Sequence, residues 1–508
     1  MLPFVCTAAF AQIPEDALRY SFYPQNGSAR VLAIGGAMGS LGGDITTAYV
    51  NPAGLGNYRS SEFVVTPGLS FNNNSIDFRG TNNQSNKNAF GLGPSGFVFG
   101  YGDGEKANTS HAISITVMQT ANFNNSVQYS GYNNYSSYAE KWAEEAGESG
   151  ETIDQIKADP QYAFSSALAL YTHLVDTFRI APTTVRFRST SEFVLDNGDA
   201  LFQQNSIQSK GGIYEIALGY ATNKNDKLLI GATLGIPILH YENSTTFTES
   251  DTSANTNNNF GYFKYNQTYT TSGVGINLKA GVIYKPTQFI RLGFAIHTPT
   301  IYSNLKDTWT SSLEAQTENY HGFSSITSND FTAGQPGESQ YNLYTPLKMM
   351  ISGSYVFREA EDVSKQRAFV TGDIEYVNHH GSIFTSSAEE PTQSDLDYYH
   401  SLNDVIKSQY KGAFNFRVGG ELKFNTIMGR LGFAYYGNPY KDPALKASNT
   451  LLSGGVGYRN NGIFVDLTYV YSINKNIDFP YRLEDKANTF ATTKNQLSNV
   501  VMTFGIKL

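Results

Sequence analysis

The stretch Phe414-Asn415-Phe416-Arg417-Val418-Gly419-Gly420-Glu421-Leu422-Lys423-Phe424 changes character at every residue. Phe414, Phe416, Val418, Leu422 and Phe424 fall on one side, and Asn415, Arg417, Glu421 and Lys423 fall on the other. A period of two belongs to a β-strand, whose successive side chains point to opposite faces. The same two-faced pattern returns elsewhere. In 274–285, Val274, Ile276, Leu278, Ala280, Val282 and Tyr284 oppose Gly275, Asn277, Lys279 and Lys285. In 463–471, Ile463, Val465, Leu467, Tyr469 and Tyr471 oppose Asp466 and Thr468, and in 214–220, Tyr214, Ile216, Leu218 and Tyr220 oppose Glu215.

Composition agrees with a chain made of strands and turns. Aromatic residues reach 14%, with 34 Tyr and 33 Phe, charged residues are only 16%, and 47 Gly punctuate the sequence. No run approaches the roughly 18 apolar residues of a spanning helix. The net charge of -8 and the absence of a basic cluster argue against nucleic acid as a partner. The single cysteine, Cys6, lies in an apolar leader that ends Ala9-Phe10-Ala11, the small-x-small pattern of a signal-peptidase site. Residues 1–11 are therefore expected to be a signal peptide, cleaved before Gln12, and its missing basic start suggests a truncated leader. A lipidated Cys6 is disfavoured by the bulk of Val5 before it. Cleavage leaves a mature chain without a thiol, which excludes Cys catalysis, disulfides and Cys-ligated metals.

Walking the chain for alternation gives about fourteen strands, near 62–71, 94–101, 111–119, 213–221, 228–236, 273–285, 289–297, 346–357, 367–376, 414–424, 427–437, 450–458, 462–471 and 498–508. Their connections alternate in length. Asn223–Asp226, Pro286–Gln288, Asn425-Thr426 and Arg459–Asn461 are short, whereas 72–93, 120–212, 237–272, 298–345, 377–413 and 472–497 are long. A soluble sandwich has no reason to sort its loops by parity; a membrane barrel has one tight rim and one rim of surface loops. The expected fold is all-β, a transmembrane antiparallel barrel in the outer membrane of a Gram-negative cell, spanning 62–508. The chain ends Val500-Val-Met502-Thr-Phe504-Gly-Ile506-Lys-Leu508, alternating like a closing strand that barrel assembly machinery reads, with Leu508 where Phe is usual. Within 120–212, Tyr138–Glu145 and Ala163–Val175 have helical character, so a helical insertion at about 138–176 is expected to pack over the barrel mouth.

Residues 12–61 precede the first strand and do not alternate. They carry Gly35-Gly36, Gly39, Gly42-Gly43 and then Asn51-Pro52-Ala53-Gly54. No Lys follows these glycines at phosphate-loop spacing, and no βαβ unit surrounds them, so nucleotide binding is not read here. This segment, with Ser60-Ser61-Glu62 leading into the first strand, and more diffusely Gly273–Gly281 and the C-terminal strands, resembles the FadL-type outer-membrane transporters of long-chain fatty acids and other hydrophobic compounds. The resemblance implies a monomeric fourteen-stranded barrel whose N-terminal segment folds back as a helical hatch, or plug, in the lumen. It further implies that Asn51, Pro52, Ala53 and Gly54 belong to that hatch, where a direct role in gating is favoured over the plain reading of a helix-starting turn. A barrel this wide needs such a plug, because its own side chains cannot fill the lumen.

The resemblance implies uptake of apolar small molecules by loop capture, lumenal binding, hatch displacement and sideways exit into a membrane of lipid and lipopolysaccharide. Asn277, Lys279, Arg417, Glu421, Lys423 and Asp466 face inward; pairing that anchors the hatch is favoured over contact with a substrate carboxylate. A gap in the wall is read at Gly93, Pro94 and Gly96, where a residue without an N–H stands between glycines, although Pro94 as the plain end of loop 72–93 serves as well. Other functions fit less. No G-x-S-x-G occurs and the eight His are scattered, so neither an enzyme nor a metal or cofactor site is expected. His379-His380 raises a haem receptor, but neighbours in a strand point apart. A surface adhesin or structural barrel is the serious alternative, and a hatch argues against it.

Overall fold

The alternating stretches become a closed wall because lipid selects one face and the lumen the other. The computed structural model describes residues 13–102, 108–181, 184–357, 367–443, 445 and 447–508. The expected signal peptide, 1–11, and Cys6 within it lie outside the described residues. The described residues form fourteen antiparallel barrel strands. These are β1 (Glu62–Val65 and Pro67–Phe78), β2 (Thr81–Leu92 and Ser95–Gly102), β3 (Ser110–Asn122 and Asn125–Asn133), β4 (Leu201–Lys224), β5 (Leu228–Asp251), β6 (Tyr262–Tyr284) and β7 (Ile290–His297 and Ile301–Gln316). They continue with β8 (Gly337–Tyr344 and Lys348–Phe357), β9 (Ala368–Asn378 and Ile383–Ser386), β10 (Gly412–Phe424), β11 (Ile427–Tyr436), β12 (Asn449–Asn460), β13 (Ile463–Asp478) and β14 (Ala491–Lys507). Each pairs with the next, and β14 returns to β1 through Glu62↔Lys507 and Gly68↔Val501. Among the described residues closure leaves no open sheet edge below Gly93 of β2 to be satisfied in lipid.

The outer face is apolar where the bilayer must lie. On β5 the outward series Ile230, Ala232, Leu234, Ile236 and Ile238 is followed by His240, Glu242, Ser244, Thr246 and Thr248. The apolar part, tilted as barrel strands are, matches a hydrocarbon band of about 25 Å. Exposed Tyr101, Tyr220, Tyr284, Tyr355 and Tyr458 line the short-turn edge of this band, where amphipathic rings meet headgroups. Among the described residues no helix is long and apolar enough to cross a membrane; the crossing is made by strands.

Above the band the wall continues, and here the sequence reading fell short. Stretches 72–93, 237–272 and 298–345, read as loops, are largely strand: β1 turns at Arg79-Gly80 into β2, and β5 and β6 stay paired up to Ser250↔Tyr262. Once the outer face meets water, polar residues stand on both sides and the two-faced signature disappears. The insertion after β3 contains α4 (Ala139–Ser149), α5 (Ile153–Ala158), α6 (Ser166–Tyr171), a hairpin of Val175–Ala181 with Thr184–Ser189, and α7 (Glu192–Asp196). The helix expected over Ala163–Val175 is only Ser166–Tyr171, because His173 adopts a left-handed backbone (φ 54°) that turns the chain into the hairpin. Trp142, Ile156, Leu168 and Leu170 bury themselves against Phe247, Phe263, Leu313 and Tyr481 of the barrel top. This insertion forms a cap on the long-loop rim.

Residues 13–61 lie inside the barrel as a helical hatch, with short helices α1 (Pro14–Arg19), α2 (Ala29–Ala33) and α3 (Thr47–Val50) and a 3-10 turn Pro52–Asn57. Nearly every residue from Gly27 to Gly56 is buried. Wall glycines make the seat: a Cβ at Gly281 would overlap the Asn51 amide, at Gly231 the Pro52 carbonyl, and at Gly293 the Gly39 carbonyl.

Candidate functional site

Asn51 shows why a hatch needs an amide at its turn. Its Oδ1 accepts the Ala53 N–H (3.2 Å), starting the 3-10 turn, while Nδ2 donates to Gly39 O (2.6 Å), Val282 O (3.3 Å) and Phe294 O (3.4 Å). One side chain thus ties two hatch segments to β6 and β7. Pro52, Ala53 and Gly54 are buried in the turn that follows, and Gly54 O accepts the Gly43 N–H. Asp373 on β9 makes the second anchor. Its carboxylate accepts the N–H groups of Met38 (3.0 Å) and Gly39 (3.1 Å) and the Ser352 hydroxyl (2.5 Å).

The inward charges of the sequence reading fall into three paired groups. Lys279 donates to Glu215 and, at 2.6 Å, to Asn277 Oδ1, while Asn277 Nδ2 reaches Glu215 at 3.4 Å. Arg417 pairs with Glu375 (3.2 Å) and lies 3.9 Å from Asp373. Glu421 and Asp466 are joined by Arg430, at 2.6 and 2.5 Å, and the hatch residue Arg30 approaches Glu421 at 3.5 Å. Lys423 lies half-buried at the short-turn end of β10, where its backbone N–H donates to Arg367 O (2.8 Å). Buried charges of this kind need partners, and each pairing removes a cation from those available to a substrate. The sequence showed the faces of these residues but not that Glu215, Asp373, Glu375 and Arg430 would complete the groups.

Gly93 and Pro94 interrupt β2, and the wall changes there. Below, Ser95↔Val117 to Gly102↔Ser110 form an ordinary ladder with β3. Above, Thr81–Leu92 pairs with β1 and, among the described residues, has no ladder pairing with β3. Side chains span the seam. Ser85 Oγ donates to Ser126 O (2.7 Å), Asn83 Nδ2 to Ser130 O (3.1 Å) and Asn122 Nδ2 to Phe90 O (3.3 Å), and from β1 behind it Asn74 Nδ2 reaches the same Ser126 carbonyl (2.6 Å). From inside, hatch residue Asn26 donates to Leu92 O (3.2 Å) on one edge and to Gln119 O (2.8 Å) on the other. Pro94 itself is buried, and Gly96 has φ +141°, with Ile115 O where a Cβ would stand.

Below the cap lies an aromatic chamber that the first hatch helix fills. Tyr241, Tyr302, Tyr341, Tyr399 and Tyr410, with Leu239, Leu305, Leu343 and Phe384, surround the first hatch helix and Tyr20. Tyr20 meets Phe123 and Tyr241 edge to face at 6.1 and 6.2 Å, and its hydroxyl donates to Thr271 (2.9 Å). Asp307 gathers the polar rim, accepting from Tyr269 (2.7 Å), Thr271 (2.7 Å) and Tyr341 (3.4 Å). Helix α8 (Gln393–Gln409) closes one side with Leu402 and Ile406. Sequence reasoning missed this chamber, since its rings come from strand tops that do not alternate. His379 is buried edge-on to Phe22 (5.3 Å) and His380 is exposed, so the pair does not converge as axial ligands would.

Over 96% of this chain the structure superposes on that of a Pseudomonas aeruginosa FadL homologue, covering 99% of that chain with TM-score 0.53 at 13% identity. The P. putida toluene transporter TodX covers the same share, 96% and 99%, with TM-score 0.52 at 12% identity. This chain has the FadL fold. No protein-family model and no curated protein matches the sequence. The side-chain seam and the chamber are described from this chain's own residues.

Proposed function

We propose that this chain is an outer-membrane channel that takes up hydrophobic small molecules and releases them sideways through the wall. The observation that carries the reading is the packing of an aromatic chamber around the first helix of a hatch whose Asn26 bonds both edges of the β2–β3 seam. The long-loop rim faces the exterior, where cap and α8 collect ligand. A ligand entering the chamber takes the place of the first hatch helix among the tyrosines and leucines, and movement of the hatch withdraws Asn26. The seam around Gly93-Pro94 then parts, and the molecule leaves into lipid without meeting water. For an alkyl chain that route avoids about 0.8 kcal/mol per CH₂ of exposure. Asn51, with Pro52, Ala53 and Gly54, acts as the hinge of the hatch, and the inward charges hold the hatch to the wall.

Long-chain fatty acids and monoaromatic hydrocarbons both suit rings and leucines; the toluene transport stated for TodX supports the second, and the sequence resemblance supports the first. Uptake of labelled toluene and labelled oleate by cells producing this chain, beside mass spectrometry of ligands extracted from the detergent-purified protein, separates them. Uptake no faster than in cells lacking the chain, for both, would overturn the reading and leave a surface-binding role.

A further inference from the structure

The cap is held to the barrel by apolar packing at its base, and at its outer edge three side chains from two distant segments meet. His173 occupies the turn after α6, Asp176 begins the hairpin arm that follows, and His321 sits in the turn joining β7 to the short strand Phe323–Thr327. One ligand atom from each lies within 4.8 Å of the others. His173 Nδ1 stands 3.4 Å from Asp176 Oδ2, and the His173 and His321 rings stack at 3.6 Å between centroids, 10° from parallel. Asp176 is fixed from behind: Oδ2 accepts the Tyr320 hydroxyl (3.0 Å) and Oδ1 the Thr177 N–H (2.7 Å). His173 has the left-handed backbone noted above, a conformation uncommon outside glycine.

We propose that His173, Asp176 and His321 form a binding site for a divalent transition metal such as Zn²⁺, which clamps the cap to the β7 hairpin. Two imidazoles and one carboxylate are a ligand set for such ions, with remaining positions filled by water, whereas Ca²⁺ and Mg²⁺ prefer oxygen alone. Tyr320 supplies the outer hydrogen bond that orients the carboxylate. Binding requires the stacked pair to open. Ring lone pairs lie in the ring planes, and two parallel planes 3.6 Å apart cannot share an ion about 2.1 Å from both nitrogens. His321 is exposed at the tip of its turn, so its ring turns edge-on while His173 stays against Asp176. Neither His is near the other in sequence, so no ligand spacing announced the site.

The test is isothermal titration of ZnCl₂ into the tag-free, detergent-solubilised full chain, with hydrogen exchange followed in parallel. One Zn²⁺ should bind per chain, and exchange should slow together in 166–181 and 316–323. His321→Ala and Asp176→Asn should each weaken binding about tenfold or more. The exposed position of His321 makes its variant safe for folding, and circular dichroism checks this. Absence of saturable binding, parental affinity in His321→Ala, or equal protection by MgCl₂ would overturn the site.

Discussion

The β4–β5 and β2–β3 seams belong to one barrel and are built on opposite principles. Between β4 and β5 every residue from Leu228 to Asp251 has a ladder partner, running from Lys224 to Leu201 without a shift in register. Between β2 and β3 the ladder stops at Ser95↔Val117, and asparagine and serine side chains take over. A ladder opens only by losing many backbone bonds together. A side-chain seam opens through a few bonds worth about 1 kcal/mol each, and rotamer changes suffice. On the proposed function, this difference makes the β2–β3 seam the place where the wall parts.

Locking the weak seam should have the largest effect. Ser85→Cys with Ser126→Cys, joined by a short bis-maleimide, places a covalent strap where Ser85 now bonds the Ser126 carbonyl. Ligand uptake should fall to background, whereas the same strap on Gln208→Cys with Ser244→Cys, opposite each other in the β4–β5 ladder, should leave it unchanged. Equal uptake in both would abolish the distinction between the seams. Cross-linking is readable because the chain has a single Cys, at position 6.

Weakening the hatch approaches the same seam from inside. Asn51→Ala removes four hydrogen bonds and leaves the Gly39, Val282 and Phe294 carbonyls without this donor. With Val282 and Phe294 still in the β6–β7 ladder, the loss amounts to about 2 kcal/mol, so amide exchange across 29–57 should quicken roughly thirtyfold. Swelling of liposomes in a small sugar should quicken too. Exchange as slow as in the parent would mean that the wall glycines and Asp373 hold the hatch without Asn51.

The sequence revealed most where lipid imposes one rule. The order and sense of all fourteen strands follow from residues such as Phe414, Phe416 and Val418 facing outward while Asn415 and Arg417 face in. Above the band nothing imposes that rule. Ser244, Thr246 and Thr248 face water where Ile230 and Leu234 face lipid, so the tops of β5 and β6 read as loop although they pair as regularly as any strand. The chamber was hidden for the same reason, since Tyr241, Tyr302 and Tyr341 lie on the upper parts of β5, β7 and β8. Pro94 was visible as a residue unable to donate, but its two readings could not be separated without knowing that Asn74, Asn83 and Ser85 would replace the ladder above it. Asn51 stood out by motif alone; its partners on β6 and β7 are distant in sequence and close only after closure.

The regular seam also carries the cap, and pH should act there. Glu249, near the top of β5 above the apolar band, is pushed up to about 7 by burial, against hydrogen bonds from Ser137, Gln203 and the Tyr138 N–H. Released into water it titrates near 4.5. The docked cap therefore holds this proton more tightly than the released one. Its stability is greatest below pH 4.5 and falls as pH rises through 7. Opening of 139–171, followed by exchange corrected for intrinsic rates, should be roughly tenfold more frequent at pH 8 than at pH 5.5. Glu249→Gln should flatten this dependence, and a slope that survives it belongs to another group.

The smallest effect is expected at Pro94, and its size sharpens what the seam owes to backbone. Replacing Gly93, Pro94 and Gly96 together would not be informative. A Cβ at Gly93 would press on Thr66 and the Gly27 carbonyl, and Gly96 combines φ +141° with the Ile115 carbonyl where its Cβ would stand. Pro94→Val alone restores an N–H and strand propensity without touching those contacts. It does not rebuild the ladder above, because Thr81–Leu92 remains bridged to β3 by side chains. Uptake should fall about twofold and barrel melting should rise slightly, as a flexible break gains one donor. A loss as complete as that of the strapped seam would place the opening in the backbone at Pro94, and no change would assign it wholly to the side-chain bridges and Asn26.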